Sequence, residues 1–590
     1  MAKPPINNKA TTCQVLLLPS CYPMEEEEDQ EEEVQVRSSS SEVSSISSFS
    51  AANSQTVASR SSAWTTMRTC SPSTIFISFL LLIVISRVLL SGVSFPSKLP
   101  SSTTSTTTTT TIPFSSHSHQ RTFHQYLLNC TSSTQQCSSS SYYPTASIEP
   151  DSDYTTACPD YFRWIHEDLR PWRATGITRD AIESRKSLAH FRLVVHKGKA
   201  YLEQFHRAWQ TRDVFTLWGI LQMLRLYPGR VPDLEMMFCC EDLPALPKRD
   251  NRVPEGTAPP AMFHYCGHES AFDIPFPDWS FWGWPEVNIK PWASMLKTIQ
   301  EKAGKVKWKD RDVHAFWKGN VQTSRKRGNL MHCNPKMFTD WNARLYNVHW
   351  DRESSSGFKE SRLEDQCVNR YNLYIEGRSW SVSEKYILAC DSTTLVIRPE
   401  YYDFFIRGMI PMEHYWPINP DNKCRDIKFA VDWGNNHTVE AQTIGEEGAR
   451  FARESLSMQR VYEYMFHVLS EYAKLQRFEV TVPPAAVELC AETMGCSAEG
   501  QVKEYMMESL VSSPSRVLPC SMPPPYQPRE IEEFLEMKEN ITKQVGMWEW
   551  ESWQKLSQKN YMNAFLLMSV SVFVLALLLV RNHNRCSIDR

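Results

Sequence analysis

Three segments of this 590-residue chain carry residue types that catalyse the transfer of a chemical group. The first runs from Pro232 to Pro244 and places Glu241 and Asp242 directly after an apolar, strand-like stretch. Strand ends are where α/β folds expose functional groups. A carboxylate at such a place can accept a proton from an incoming hydroxyl group, as a general base does. A solvated acidic turn has the same pattern, so both interpretations stay open on position alone.

The second segment, residues 315–327, joins an apolar stretch to the turn residue Gly319 and to three cations, Arg325, Lys326 and Arg327. Cationic side chains neutralise a diphosphate, and arginine grips two of its oxygens in a bidentate fork. A solvated charge run is the alternative interpretation.

The third segment, residues 374–392, predicts a strand that ends at Gly377, a loop with Ser381 and Ser383, and a helix from about Ser383 to Cys390. The unpaired backbone N–H groups and partial positive charge of a helix N-terminus suit phosphate groups. Both serines are also good helix N-caps, so a purely structural role is equally compatible with the pattern.

Sugar transfer from a nucleotide donor requires a carboxylate that deprotonates the acceptor hydroxyl, cationic or dipolar groups for the departing diphosphate, and a shaped sugar pocket. Such enzymes either hold a metal with an Asp-x-Asp motif or use basic groups without one. The chain contains one literal match, Asp310-Arg311-Asp312, which stands among Lys307 and Lys309. Because these cations repel a metal ion, the metal-free solution is favoured.

The amino-acid composition limits which other classes of protein function are possible. The sequence is 42% apolar and 12% aromatic with a net charge of −4, so it can fill a large core and lacks the basic excess that favours nucleic-acid binding. Its 19 tryptophans include Trp279, Trp282 and Trp284, whose faces either stack on sugar rings or fill the core, and the core is favoured.

Alternating strand-like and helix-like stretches predict an α/β fold with parallel sheets. Residues 231–240 and 387–397 are apolar, and residues 441–472 form a long helical pattern.

The N-terminal part predicts a membrane protein. Residues 1–73 are Ser-rich with an acidic run and predict a disordered cytosolic tail. Residues 74–95 are apolar apart from Arg87 and long enough for a transmembrane signal anchor, and residues 96–150 form a Ser/Thr-rich stem. A second apolar run, residues 564–580, predicts either a second transmembrane helix or a buried C-terminal helix.

The cysteines indicate an oxidising compartment. Thirteen of the 17 lie between Cys130 and Cys520, and an odd number leaves at least one of them unpaired or bonded to another chain. The sequons at Asn129, Asn436 and Asn540 agree with a lumenal domain. The anchor and the absence of a KDEL-like end predict a Golgi or endoplasmic reticulum membrane protein with its catalytic domain in the lumen.

Seven ordered segments between residues 158 and 478 resemble the CAP10-type glycosyltransferases, the family of the Rumi-like protein O-glucosyltransferases. They are CPDYFRWIHEDLRPW, PDLEMMFCCEDLP, FPDWSFWGWPEVNIKPW, AFWKGN, RYNLYIEGRSWSVSEKYILACDS, YYDFFIRGMIPMEHYWPI and GARFARESLSM. The resemblance implies a GT-B-like α/β fold, with two Rossmann-like lobes across a cleft. It gives a domain at 151–478, with an acceptor lobe at about 151–305, a donor lobe at about 306–478 and a C-terminal extension at 479–562.

The resemblance also implies the chemistry. It predicts an inverting, metal-independent transfer of glucose or xylose from a UDP-sugar, the co-substrate, to a glycoprotein or polysaccharide, with no other cofactor. The base falls on Asp242. The donor-binding set is Asn320, Arg327, Gly377, Ser381, Ser383 and Lys385. One position departs from the family pattern, because Ser383 stands where Rumi-like members have a second donor-binding arginine, and Lys385 is the substitute cation.

Two other functions remain open at this point: a catalytically silent lumenal protein that binds glycans, and a metal-dependent GT-A transferase that uses Asp310 and Asp312.

Overall fold

The computed structural model describes Leu128, Cys130, Cys137 and residues 156–586, with side chains through Leu579. The predicted tail at 1–73 and anchor at 74–95, and nearly all of the predicted stem, lie outside these residues.

The first sheet has six strands in the order β11-β2-β1-β3-β4-β5. Strand β1 pairs antiparallel with β2 and β3, whereas β3, β4 and β5 run parallel, so the carboxyl ends of β3 and β4 lie at one edge. The bounds are β1 Phe191–His196, β2 Lys199–Gln204, β3 Leu234–Phe238, β4 Phe263–His264, β5 Ile274–Pro275 and β11 Val487–Leu489.

The second sheet has five parallel strands in the order β10-β9-β8-β6-β7. The chain adds β7 on one side of β6 and β8 on the other, so the strand order reverses between β6 and β8. Open α/β sheets bind ligands outside the carboxyl ends of their strands at such a switch point. The bounds are β6 Asp312–Gly319, β7 Ala343–Asn347, β8 Asn369–Tyr374, β9 Thr393–Ile397 and β10 Trp416–Ile418.

Helices connect and cover the strands. Those described are α1 Trp164–Asp168, α2 Arg179–Glu183, α3 Arg212–Leu226, α4 Trp292–Ala303, α5 Arg325–Leu330, α6 Trp350–Ser355, α7 Glu384–Leu388, α8 Lys423–Asn436, α9 Thr438–Glu454, α10 Met458–Leu475, α11 Ala491–Gly495, α12 Gly500–Glu508 and α13 Pro528–Cys586. The long helix predicted at 441–472 is two helices, because Ser457 is extended (ψ 150°) and interrupts the helical backbone before Met458.

The α/β prediction is confirmed, but the parallel arrangement holds throughout only the second sheet. In the first sheet, Lys197 and Gly198 both have positive φ (50° and 75°) and join β1 to β2 in a two-residue turn. Two such residues form the tight hairpin turn that reverses a strand, which gives an antiparallel pair.

The tryptophan cluster belongs to the core. Trp279, Trp282 and Trp284 are all buried, and the Trp282 indole donates a hydrogen bond to the hydroxyl of Tyr462 (3.0 Å). The interpretation of these residues as core is therefore confirmed.

Five disulfides join ten of the thirteen cysteines between Cys130 and Cys520. The pairs are Cys130–Cys496, Cys137–Cys490, Cys158–Cys520, Cys333–Cys424 and Cys367–Cys390. Cys239, Cys240 and Cys266 are free and buried, so the expectation that at least one of the thirteen stays outside the disulfides among them is confirmed.

The C-terminal helix α13 has two parts. Its first part packs on the domain, where Val545 is buried in the core beside the second sheet. Beyond Trp553 every residue through Leu579 is exposed except the half-buried Ser569. Within the described residues this is the one helix long and apolar enough to cross a membrane, with a mean hydropathy of 2.4 over its most apolar 18 residues.

Candidate active site

The ends of β6 and β8 meet at the switch point of the second sheet. Asn320 follows β6, and its side-chain oxygen accepts a hydrogen bond from the backbone N–H of Gln322 (2.8 Å), which starts a turn. Gly377 follows β8, and a Cβ atom there would lie 3.2 Å from a methyl carbon of Thr323. A side chain at Gly377 would therefore crowd the turn that Asn320 begins.

Arg327, in helix α5, lies against both strand ends. It donates hydrogen bonds to the backbone oxygens of Asn320 (3.4 Å) and Glu376 (2.9 Å) and to the hydroxyl of Ser381 (3.1 Å). Burial lowers the pKa of Arg327 to about 10, so it stays charged at neutral pH. No carboxylate in the described part of the chain forms an ion pair with it. A cation bonded only to neutral oxygens suits an anionic ligand.

The other two cations of this segment differ from Arg327. Lys326 pairs with the carboxylates of Glu376 (2.7 Å) and Glu400 (3.0 Å), and Arg325 is exposed. Of the three, Arg327 is therefore the one with an uncompensated charge beside both strand ends.

The serine loop contacts Arg327, but the helix after it is short. The hydroxyls of Ser381 and Ser383 lie 2.9 Å apart. Helix α7 has five residues, fewer than predicted, and the Ser383 side chain makes no cap bond because its backbone is helical (φ −70°, ψ −17°). A cap residue normally has an extended backbone, so the structural prediction of Ser383 as a side-chain N-cap is wrong.

Lys385 is buried and already paired. Its ammonium group lies 3.2 Å from a carboxylate oxygen of Asp278 and 2.8 Å from the hydroxyl of Ser280, and burial lowers its pKa. This ammonium lacks an open face for a diphosphate. We therefore do not retain Lys385 as the substitute for the absent arginine.

Asp242 lies just beyond the carboxyl end of β3. One of its oxygens accepts a hydrogen bond from Arg212 (2.9 Å), whose guanidinium stands over the ring of Trp279. The other oxygen has no hydrogen bond among the described residues, and one third of the side-chain surface is exposed. Arg212 thus holds the carboxylate in place and leaves one oxygen for a ligand. The adjacent Glu241 lies 3.5 Å from His190 instead.

Ser379 joins Asp242 to the second sheet. Its hydroxyl donates a hydrogen bond to the backbone oxygen of Asp242, and its own backbone oxygen accepts one from the N–H of Gly377 (3.0 Å). Close by, Gly267 and Tyr402 exchange two backbone hydrogen bonds (2.8 and 3.1 Å). The carboxyl edges of the two sheets therefore meet, and Asp242 lies within a short chain of contacts from Gly377 and Arg327.

Sequence reasoning missed Arg212 and Ser379. Ser379 stands between Gly377 and Ser381 in a segment already singled out, so its position was a usable signal. Arg212 lies 30 residues before Asp242 and carries no local motif.

The pair Asp310 and Asp312 lies away from this site. Asp312 begins β6, at the opposite end of the strand from Asn320, and bonds His314 (2.8 Å). Arg311 between them is buried against backbone oxygens of Ala303 and Cys390. Among the residues the structure describes, the single cluster with metal-ligand geometry is Cys158, His467 and Cys520, whose two cysteines are joined as a disulfide.

A partly exposed carboxylate at the edge of the first sheet, and an arginine with no ion pair among the described residues at the switch point of the second, are groups that a transferase acting on an anionic donor uses. The sequence profile of glycosyl transferase family 90 matches residues 153–549, and the chain belongs to that family. The protein is a glycosyltransferase, and its resemblance to the CAP10 and Rumi-like proteins is confirmed.

Several relatives are similar over most of their length. The chain is 25% identical to O-glucosyltransferase rumi of Drosophila melanogaster over 352 residues, which cover 58% of this chain and 82% of the relative. It is 27% identical to protein O-glucosyltransferase 1 of Homo sapiens over 351 residues, 56% of this chain and 84% of the relative.

Proposed function

We propose that the chain transfers glucose or xylose from a UDP-sugar to a hydroxyl group, with inversion at the sugar carbon and without a metal ion. The acceptor is a serine of a glycoprotein or a hydroxyl of a cell-surface polysaccharide. The link from Asp242 through Ser379 to the loop that Arg327 contacts carries this proposal, because it connects the proposed proton acceptor with a cation that has no ion pair among the described residues.

Each residue has one task. The free oxygen of Asp242 accepts the proton of the acceptor hydroxyl. At the same time, the oxygen of that hydroxyl group attacks the sugar carbon and displaces the diphosphate. Arg327 compensates the charge that builds on the departing diphosphate, and the Ser381 hydroxyl orients Arg327. Asn320 and Gly377 shape the turn and loop beside the donor. General-base assistance of this kind contributes about 10² to 10⁴ in rate.

The names of the relatives support a glucosyl donor and a protein acceptor. The family profile extends to residue 549, within helix α13, so this helix belongs partly to the domain. We further propose that residues 564–580 cross a Golgi or endoplasmic reticulum membrane and that the domain lies in the lumen, where the five disulfides form in an oxidising environment.

The test is UDP release by the full-length chain from a panel of UDP-sugars, with and without EDTA. We expect release from UDP-glucose or UDP-xylose that persists in EDTA and disappears in Asp242→Asn. Loss of activity in EDTA with recovery on adding Mn²⁺ would contradict metal independence. Binding of glycans without turnover of any donor would instead identify a non-catalytic glycan-binding protein.

A further inference from the structure

A tight turn between α5 and β7 holds two large apolar side chains out in water. Met337 and Phe338 are 88% and 93% exposed, more than any other large apolar side chain described. They occupy the two central positions of a turn in which Lys336 and Thr339 exchange both backbone hydrogen bonds (2.8 and 3.2 Å). We call residues 334–341 the tip loop.

The base of the tip loop is firmly held. The disulfide Cys333–Cys424 ties its start to helix α8. The Asn334 side chain exchanges two hydrogen bonds with the backbone of Leu345, and Asp340 binds Arg344 through both carboxylate oxygens (3.0 Å each). A rigid support for two exposed apolar side chains indicates that they meet a partner, because isolated folding gains nothing from them.

The C-terminal helix passes beside this loop just before its apolar run. The rings of Trp341 and Trp553 lie 6.2 Å apart, and the guanidinium of Arg425 stands 5.9 Å from the Trp553 ring. From Trp553 to Ala564, where the apolar run begins, a helix rises about 16 Å.

These distances bring the lipid headgroups within reach of the tip loop, if the loop extends toward the membrane. A headgroup layer adds about 6 Å outside the hydrocarbon core, so its outer surface lies roughly 10 Å beyond Trp553 on a helix normal to the membrane. Phe338 precedes Trp341 by three residues, which span up to about 10 Å.

We propose that the tip loop inserts Met337 and Phe338 into the headgroup layer of a phospholipid bilayer, beside the point where helix α13 enters it. This proposal rests on the membrane anchorage proposed above. Aromatic side chains favour this interfacial region. The exposed Lys336, which forms no ion pair with any described residue, supplies a cation for lipid phosphate. Because Arg344 neutralises Asp340, the loop presents no free carboxylate close to Phe338.

The consequence is a fixed orientation. A single helix leaves a domain free to turn about the membrane normal and to tilt. A second contact at the tip loop holds the β7 edge of the second sheet toward the membrane.

A photo-crosslinking amino acid tests this in the full-length chain reconstituted in phosphatidylcholine and phosphatidylserine bilayers. It is placed in turn at Phe338, at Met568 in the apolar run, and at Trp209, a 71% exposed control in the segment before α3. We expect lipid adducts at 338 and 568 and none at 209.

Adducts at 568 without lipid adducts at 338, or adducts from 338 to a second protein chain, would overturn the tip-loop proposal and leave the anchorage intact. Absence of lipid adducts at 568 would overturn the anchorage, and the tip-loop proposal with it.

A second measurement keeps the apolar probe off positions 337 and 338. With the probe at Thr339, the double change Met337→Ser and Phe338→Ser should lower the yield of lipid adducts roughly tenfold, because the apolar area that inserts is removed. An unchanged yield would contradict the proposal.

Discussion

The two sheets contribute to the candidate site in different ways. The second sheet is parallel throughout, and its strand order reverses between β6 and β8, where Asn320 and Gly377 follow the strands. The first sheet is antiparallel around β1 and parallel only from β3 to β5. Asp242 follows β3, the first strand of that parallel part.

Strand direction determines which part of each sheet lies at the candidate site. Carboxyl ends of parallel strands gather at one edge, and the two gathered edges are the ones that meet through Ser379 and through the Gly267–Tyr402 pair. The antiparallel strands β1, β2 and β11 broaden the first sheet and give it stability. In the proposed mechanism, the first sheet supplies the base and the second supplies the donor contacts, a division that mutations can test.

The largest effect is expected at the base. Asp242→Asn should lower turnover by about 10² to 10⁴ because the amide cannot accept the proton, while UDP binding stays close to the wild-type value. Steady-state kinetics and calorimetric UDP titration measure the two quantities. The matched control is Glu241→Gln, which changes the adjacent acid that lies beside His190 and should leave turnover nearly unchanged. Equal losses in both variants would argue against Asp242 as the base.

The next effect concerns stability. Lys385→Met leaves Asp278 as an uncompensated buried charge, which costs about 3–5 kcal/mol of unfolding free energy. Chemical denaturation of the variant measures this loss. The double variant Lys385→Met with Asp278→Asn should recover part of it. Normal stability combined with weak UDP binding would show instead that Lys385 contacts the donor.

Arg327→Ala should weaken binding of the UDP part of the donor. Losing charge-assisted hydrogen bonds of about 1.5–3 kcal/mol weakens UDP binding roughly 10- to 100-fold. Arg325→Ala, an exposed neighbour on the same helix, should change binding little. Similar losses in both variants would indicate a diffuse positive surface in place of a specific contact.

The smallest effects are expected at Ser379 and Ser381, two serines of one loop that should affect different quantities. Ser379→Ala removes the hydrogen bond to the backbone of Asp242 and should lower turnover up to about tenfold without changing UDP binding. Ser381→Ala removes a partner of Arg327 and should weaken UDP binding by a similar factor. If the two variants had the same profile, the division between the sheets would not hold.

The features that could be predicted from the sequence are those that a local residue pattern determines. The apolar run before Glu241 is strand β3, and the strand that ends at Gly377 is β8, because both are buried stretches that end at turn residues. The apolar composition alone makes residues 564–580 a transmembrane candidate, and in the structure residues 564–579 lie in a helix whose side chains are exposed apart from the half-buried Ser569.

Features that depend on distant residues were not predictable. Nothing near Lys385 in the sequence indicates that Asp278, 107 positions earlier, pairs with its ammonium group. The antiparallel pairing of β1 with β2 depends on a positive φ at Lys197, and lysine is a residue type that does not favour this conformation. The roles of the proposed site residues stay predictions.

Three of the disulfides can form only late in the synthesis of the chain. Cys130, Cys137 and Cys158 pair with cysteines that lie 366, 353 and 362 positions later in the chain. At translation rates of about 5–20 residues per second, each early thiol waits roughly 20–70 s before its partner is made. During that interval these thiols are open to wrong partners. Any early bond to a wrong partner must be exchanged for the native one after the C-terminal extension, which carries Cys490, Cys496 and Cys520, has been made.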